Sequence, residues 1–142
     1  HQGNGTADVL GKSNTIYTFS MHCEKNYPFV KAQSHLDVGL ALGTNDDTYL
    51  ALLEQHYYRL LDTIQPDFIF YQAGVDILAT DKMGKLACTL EGCKRRDEIV
   101  IAAAAQRRIP MQVSMGGGYS PDIRTIIDAH TQTYQVANDY YL

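Results

Sequence analysis

No apolar run in this 142-residue chain approaches the length of a bilayer-spanning helix, which needs about 20 consecutive apolar residues. Basic tracts are equally scarce. Twelve Lys and Arg stand against sixteen Asp and Glu, a net charge of −4. That balance argues against direct binding to nucleic acid through phosphates, which requires clustered cations. The one basic cluster, Lys94-Arg95-Arg96, runs straight into Asp97-Glu98, and on a helix such a segment reads as a solvated face that pairs with itself. Cysteine is sparse and odd in number. Cys23, Cys88 and Cys93 have the spacing of neither a zinc ribbon nor a thioredoxin motif, so they read as reduced, mostly buried thiols of a cytoplasmic protein. There is no internal repeat, low-complexity stretch or linker. The chain opens on His1 rather than Met, with no basic n-region or apolar h-region behind it, and is expected to be a fragment, a processed product or an incomplete gene model.

Hydrophobic residues make up 45% of the sequence and charged residues 20%, as in a water-soluble globular domain with one modest core. Thr15–Met21, rich in β-branched and aromatic residues, predicts a strand. His22–Ser34 predicts a loop, and Leu36–Leu42 a short strand. Thr44-Asn-Asp-Asp47 then gives a helix start with acids placed at the positive end of the dipole. Apolar residues at Tyr49, Leu50, Leu53, Tyr57, Leu60, Leu61 and Ile64 form an amphipathic stripe that Pro66 ends. Phe68–Gln72 predicts a strand. Glu91–Arg108 predicts a helix with Ile99, Val100, Ala103 and Ala104 inward and Arg107-Arg108 near its negative end. After Pro110 comes a strand, Met111–Met115. Ser120-Pro121-Asp122 predicts a last helix, with Ser at the N-cap, Pro at the first helical position and Ile123, Ile126 and Ile127 buried. Helices of this length between strands imply parallel crossovers, hence an α/β fold whose open, mostly parallel sheet carries helices on both faces.

In such sheets ligands bind beyond the carboxyl ends of strands. Two strand ends carry chemistry. Phe68-Ile-Phe-Tyr71 ends in Gln-Ala-Gly-Val and then an acid, Asp76, and continues as Ile-Leu-Ala-Thr-Asp-Lys-Met-Gly-Lys-Leu86. Met111-Gln-Val-Ser-Met115 runs into Gly116-Gly-Gly-Tyr119. A third segment is the first one, His1-Gln-Gly-Asn-Gly-Thr6. Each has a plainer alternative. Asp76 also suits an N-cap or loop carboxylate, and a terminal His1 is often idle. Tyr119 also suits an aromatic lid over a flexible turn. The three glycines suit a phosphate cradle poorly, because no Lys or Ser/Thr follows in P-loop spacing. Asp81, inside Thr80-Asp-Lys-Met-Gly84, reads as a loop acid that caps backbone N–H groups. His22, His35, His56 and His130 have no partners at motif spacing and read as surface or packing residues.

Together and in this order, the three segments resemble the histone deacetylase family of the arginase/deacetylase superfamily. The Gly43-Thr-Asn-Asp-Asp turn and the Lys94–Glu98 helix make the class IV type and related bacterial deacetylases the nearest. The resemblance runs from His1 to the helix after Tyr119. It implies that residues 1–142 are the C-terminal part of a single catalytic domain with an arginase/deacetylase-like three-layer α/β/α fold, incomplete here. It further implies that His1 and Asp76 ligate a catalytic Zn²⁺, with Fe²⁺ as the alternative metal, and that the Tyr119 phenol donates to the substrate carbonyl. Gly117 and Gly118 would border the substrate channel. Tyr27-Pro-Phe29 falls where the family has channel aromatics. Ser20 and the carbonyl of Met21, in Phe19-Ser-Met-His22, would hold a K⁺ ion. A second cation site would draw on Leu10, Ser13 and Ile16. The family's first zinc Asp and its general-base His pair lie in the half absent from this chain, so the chain alone is expected to be inactive. The implied substrate is an acetylated lysine or an acetylated small amine. The implied location is the cytoplasm, or the nucleus in a eukaryote. Two other readings stand beside this one: a non-catalytic deacetylase-like scaffold, and a flavodoxin-like nucleotide binder built on the Gly116–Gly118 turn.

Overall fold

The computed structural model describes residues 1–142. In chain order its elements are α1 (Asn4–Leu10), β1 (Phe19–Cys23), β2 (Leu36–Leu40), α2 (Asp46–Ile64), β3 (Ile69–Gly74), α3 (Leu90–Gln106), β4 (Met111–Gly116) and α4 (Ile123–Tyr141). Both strand pairings are parallel, β1 with β2 and β3 with β4, and they form two separate two-stranded sheets. The fold is α/β, as the alternation of helical and strand patterns requires. No helix is long and apolar enough to cross a membrane.

α2 forms where acids follow a good cap. Asn45 accepts a hydrogen bond from the Thr48 N–H (3.3 Å), and Asp46 and Asp47 occupy the first turn. Its buried stripe is Tyr49, Leu53, Tyr57 and Leu61, with Leu50, Leu52 and Leu60 packed at the margin. Ile64, expected inside, is exposed, because the chain leaves the helix at Gln65 in a left-handed conformation (φ 50°). α3 presents Ile99, Val100, Ala103 and Ala104 to the core as the pattern predicts. The Tyr57 hydroxyl, on α2, donates to the Val100 carbonyl of α3 (3.1 Å). Arg107, at the end of α3, donates to the Ala103 carbonyl (3.2 Å) and to Asp62 (2.8 Å). All three cysteines are free and buried. Burial pushes the Cys88 thiol up to about 12 and raises that of Cys93, so both remain unreactive thiols.

Several sequence expectations are corrected. The segment Asn4–Leu10 is a short helix, although Gly5 within it and the missing side-chain cap give no helical signal. β1 starts later than expected and runs on through His22, which is buried. Thr15 and Ile16 instead donate their N–H groups to the Ser13 hydroxyl, forming a turn. The cap of α4 is Asp122, which accepts from the Arg124 N–H (3.1 Å) and the Thr125 hydroxyl (3.1 Å). Ser120 does not cap it, because its hydroxyl is buried against that of Thr80 (2.8 Å). The buried face of α4 is therefore Ala129, Thr133 and Val136 with Ile126 at its edge, while Ile123 and Ile127 face outward. The Lys94–Glu98 segment is only half a solvated face. Lys94 and Arg95 pair with Glu98 outside, but Arg96 and Asp97 turn inward and are 4% and 0% exposed.

Candidate active site

The register of β3 and β4 builds the site. Ile69 pairs with Met111 and Gly74 with Gly116, so both strands end at one level and deliver Asp76 and Gly117-Gly-Tyr119 side by side. The junction is tight. The Val75 N–H donates to the Gly116 carbonyl (2.9 Å). Gly117 has φ 62°, and a Cβ there would stand 2.9 Å from the Asp76 side chain. Only glycine meets both demands. Gly118 has φ 105° and continues the turn that carries Tyr119 outward. Gly84 packs so closely on the Asp76 carbonyl that any Cβ would overlap it, at 1.8 Å.

His1 arrives from the other end of the chain. Its Nδ1 lies 2.5 Å from Asp76 Oδ2, and its α-amino group donates to the same oxygen (2.8 Å). The Tyr119 ring stands edge-on to the imidazole, with centroids 6.1 Å apart and planes at 85°. The structure thus brings His1, Asp76 and Tyr119 together around a cavity of about 280 Å³ lined by His1, Gln2, Asn4, Tyr27, Pro28, Met83 and Tyr119. Asp76, 9% exposed, lies behind His1, and Tyr119, 50% exposed, stands at the cavity wall.

Neighbouring side chains hold these three in place. Gln2 is buried and makes a two-way amide pairing with Ala32, donating to its carbonyl (2.7 Å) and accepting from its N–H (3.0 Å). A further hydrogen bond runs from Gln2 to Asp37 (3.2 Å). Asp81 caps the N–H groups of Met83 (2.8 Å) and Gly84 (2.6 Å), as expected of a loop acid. Its other oxygen accepts from the N–H of Tyr119 (2.8 Å). Asp81 therefore also fixes the turn that bears the phenol, a role the sequence signals only by the loop chemistry of Thr80–Gly84. Asn26 donates to the Met83 carbonyl (3.0 Å) and accepts from the Tyr27 N–H (2.8 Å), tying the aromatic loop to the loop that follows Asp76. Met83 and Asn26 carry no motif signal and are found only in three dimensions.

The remaining candidates lie elsewhere. Ser20 and Met21 sit in β1, opposite Asp37 and Val38 of β2, and the Ser20 hydroxyl pairs with His22 Nδ1 (3.0 Å). Burial lowers the pKa of His22, and the nearby Asp37 carboxylate opposes that shift. The Leu10 and Ser13 carbonyls already accept hydrogen bonds, from the Ser13 N–H (3.0 Å) and from His35 (2.9 Å). His35 packs against Tyr17. His130 lies under the glycine turn, where a Cβ on Gly118 would stand 3.7 Å from its Nε2.

An imidazole nitrogen and a carboxylate oxygen meeting beside a cavity are the donor types that Zn²⁺ takes, and Fe²⁺ accepts the same set. The pair fits such an ion in kind, and His1 and Asp76 are the side chains that would hold it. No third His, Cys, Asp or Glu side chain joins them, against the usual three protein ligands of a catalytic zinc.

The His–Asp pair and the Tyr stand beyond the strand ends of a parallel α/β frame, where ligand sites of α/β domains lie. Comparison with known proteins names the family. The chain belongs to the histone deacetylase family: residues 1–134 match the histone deacetylase domain. It is 42% identical over 141 residues to an uncharacterised protein of Picosynechococcus sp., covering 99% of this chain and 47% of that protein. It is 35% identical over 130 residues to histone deacetylase 2 of Arabidopsis thaliana, covering 89% of this chain and 34% of the relative. A histone deacetylase homologue solved in complex with SAHA superposes with a TM-score of 0.79 at 20% identity, covering 94% of this chain and 38% of the other, which shows a shared fold. The chain spans between about a third and a half of the length of these curated relatives.

Proposed function

We propose that residues 1–142 form the C-terminal part of the catalytic domain of a zinc-dependent deacetylase, which hydrolyses an N-acetyl or longer N-acyl amide of lysine or of a small amine. The observation that carries this reading is the contact between His1 Nδ1 and Asp76 Oδ2, groups 75 positions apart, beside Tyr119 and next to an open cavity that His1 lines. Family membership supports it.

In this reading His1 and Asp76 hold the ion. A bound Zn²⁺ would polarise the acyl carbonyl and lower the pKa of its bound water. The phenol of Tyr119 donates a hydrogen bond to the carbonyl oxygen as negative charge develops on it. It costs little reorganisation, because Asp81 already fixes the Tyr119 backbone and the glycine turn sets its direction. Gly117 and Gly118, lacking side chains, leave the approach to the pair open, and Tyr27, Pro28 and Met83 supply apolar walls for the acyl-amine stem. The remaining metal ligand and the general base that takes the proton from water would come from the other part of the domain, so the chain by itself is inactive. Ser20 and the Met21 carbonyl are the proposed K⁺ donors. The proposed location is cytoplasmic, or nuclear in a eukaryote.

The test is deacetylation of acetyl-lysine peptides and acetylated polyamines by the full-length, zinc-loaded protein and its Tyr119→Phe variant. Activity that falls at least a hundredfold in the variant supports the proposal. A full-length protein that leaves every such amide intact, with Tyr119→Phe no different, refutes it. One observation favours a second reading, a non-catalytic scaffold: the chain offers only two metal-binding side chains. A full-length protein that binds acetylated peptide without cleaving it, with or without zinc, would establish that alternative.

A further inference from the structure

Behind the site lies a buried polar cluster that neither metal binding nor substrate contact explains. Arg96 and Asp97 are consecutive on α3, where neighbouring side chains point about 100° apart and do not normally pair. Here both turn into the junction of β3, α3 and α4. The Asp97 carboxylate accepts three hydrogen bonds, one from each element: the Tyr71 hydroxyl of β3 (2.5 Å), Arg96 Nε of α3 (2.9 Å) and the Thr133 hydroxyl of α4 (2.7 Å). The guanidinium then reaches forward, and its Nη1 donates to the carbonyl of Gly74. Its Nη2 lies 2.8 Å from Asp97 Oδ1, in an ion pair whose alignment falls short of a hydrogen bond. An apolar pair of similar volume would often be as stable as a buried ion pair. Stability alone is a poor reason for this arrangement.

The Gly74 carbonyl and the Val75 N–H belong to one peptide unit. Arg96 holds the carbonyl, and Gly116 accepts from the N–H (2.9 Å). The peptide plane is thus clamped at both ends, immediately before the residue that bears the Asp76 carboxylate. The clamp anchors α3 and α4 to the same point through Asp97.

We propose that Arg96, oriented by Asp97, Tyr71 and Thr133, is a positioning residue that fixes the 74–75 peptide and so aims the Asp76 carboxylate at the metal. This inference rests on the proposed zinc site. It names a residue that touches neither metal nor substrate and sets their geometry from behind the strand.

The test uses the full-length protein and zinc alone. The zinc dissociation constant is measured for wild type, Asp76→Ala, Arg96→Met and Tyr71→Phe, with urea unfolding and amide hydrogen exchange of the metal-free forms alongside. Loss of groups that support a metal ligand typically weakens binding ~10–100-fold. The expected result is a weakening in that range for Arg96→Met and a smaller one, at least ~3-fold, for Tyr71→Phe, in line with its single lost donor. The Val75 and Asp76 amides should exchange faster while those of Leu53 and Leu61 on α2 stay protected. Zinc affinity within twofold of wild type in Arg96→Met overturns the proposal, whatever the change in unfolding. Should Arg96→Met fail to fold, Tyr71→Phe decides by the same measure. Undiminished zinc affinity in Asp76→Ala would instead refute the metal site itself. The exchange rate of Val75 would then decide alone, and an unchanged rate would overturn the clamp.

Discussion

Two pairs of a nitrogen base with a carboxylate lie on opposite sides of the end of β3, and they differ in almost everything else. His1–Asp76 opens onto a cavity and joins residues 75 positions apart. Arg96–Asp97 is sealed in the interior, joins sequence neighbours and is wrapped by donors from three elements. The first pair can exchange partners: an ion entering the cavity can replace the contact between imidazole and carboxylate. The second cannot, because no solvent or ligand reaches it. A site that must accept a ligand and keep its geometry needs both kinds, a pair free to respond and another that holds the frame.

The largest effect should come from breaking the sealed pair. Asp97→Ala leaves the Arg96 guanidinium buried with no counter-charge and removes the acceptor for Tyr71 and Thr133. Removing one partner of a buried pair typically costs ~3–5 kcal/mol. Urea unfolding is expected to show a loss of that size, with the midpoint lowered and the slope unchanged. A loss below about 1 kcal/mol would mean that solvent reaches the pair, and the contrast drawn above would fall.

Next in size is the effect at the open site. Tyr119 is half exposed and its phenol makes no hydrogen bond that holds the fold, so Tyr119→Phe should leave unfolding unchanged within about 0.5 kcal/mol. In the full-length protein kcat should fall by about 10²–10³, the effect of one lost donor to a developing oxyanion. An equal change in stability and no change in kcat would reverse the roles assigned to the two pairs. Asp81→Ala sharpens the same point. It frees the Tyr119 N–H and the Met83 and Gly84 N–H groups at once. About 1 kcal/mol of stability for each bond that water does not replace is expected. It should also lower kcat, with zinc affinity retained, since Asp81 touches the phenol's turn and not His1 or Asp76.

The two pairs were not equally legible in the sequence. His1, Asp76 and Tyr119 stand in glycine-flanked motifs at predicted strand ends, and both the α/β class and the strand-end location follow from periodicity and parallel topology. The elements with strong patterns, α2 and α3, fall where the amphipathic stripe and Pro66 and Pro110 place them. The sealed pair was misread, because charge in a Lys-Arg-Arg-Asp-Glu run signals solvent unless the partners across the fold are known. Tyr71 and Thr133, the residues that make burial tolerable, are 26 and 36 positions from Asp97, and no local pattern links them to it. The N-cap of α4 failed for a similar reason: Ser120 is a good cap by type, but a tertiary contact with Thr80 takes its hydroxyl. α1 left no trace, since a seven-residue helix that contains Gly5 is set by packing of Ala7 and by the chain's attachment through Gln2, not by propensity.

The smallest expected effect concerns protons. His22 is buried in β1, and desolvation lowers its pKa below 6.5. The unfolded chain therefore binds a proton at His22 more readily than the folded protein does. By linkage, stability rises with pH wherever the unfolded state holds more protons. The contribution of neutral His22 is thus fully present above the unfolded value of about 6.5 and is lost as pH falls through the window down to its folded value. Desolvation of His130 lowers its pKa too, against the opposing hydrogen bond that its ring makes to the Gly117 backbone, and so adds a loss of the same sign. Urea midpoints at pH 7.5 and pH 5 should show the protein less stable at the lower pH, with part of the difference removed in His22→Gln. His22 does not feel the sealed pair, whereas His130 senses the charges of both Arg96 and Asp97, so Asp97→Ala should lower stability at both pH values and leave the His22 share of their difference unchanged. A variant that erased the pH dependence would show instead that the charges of the interior titrate, and that the region behind β3 is as open to protons as the cavity in front of it.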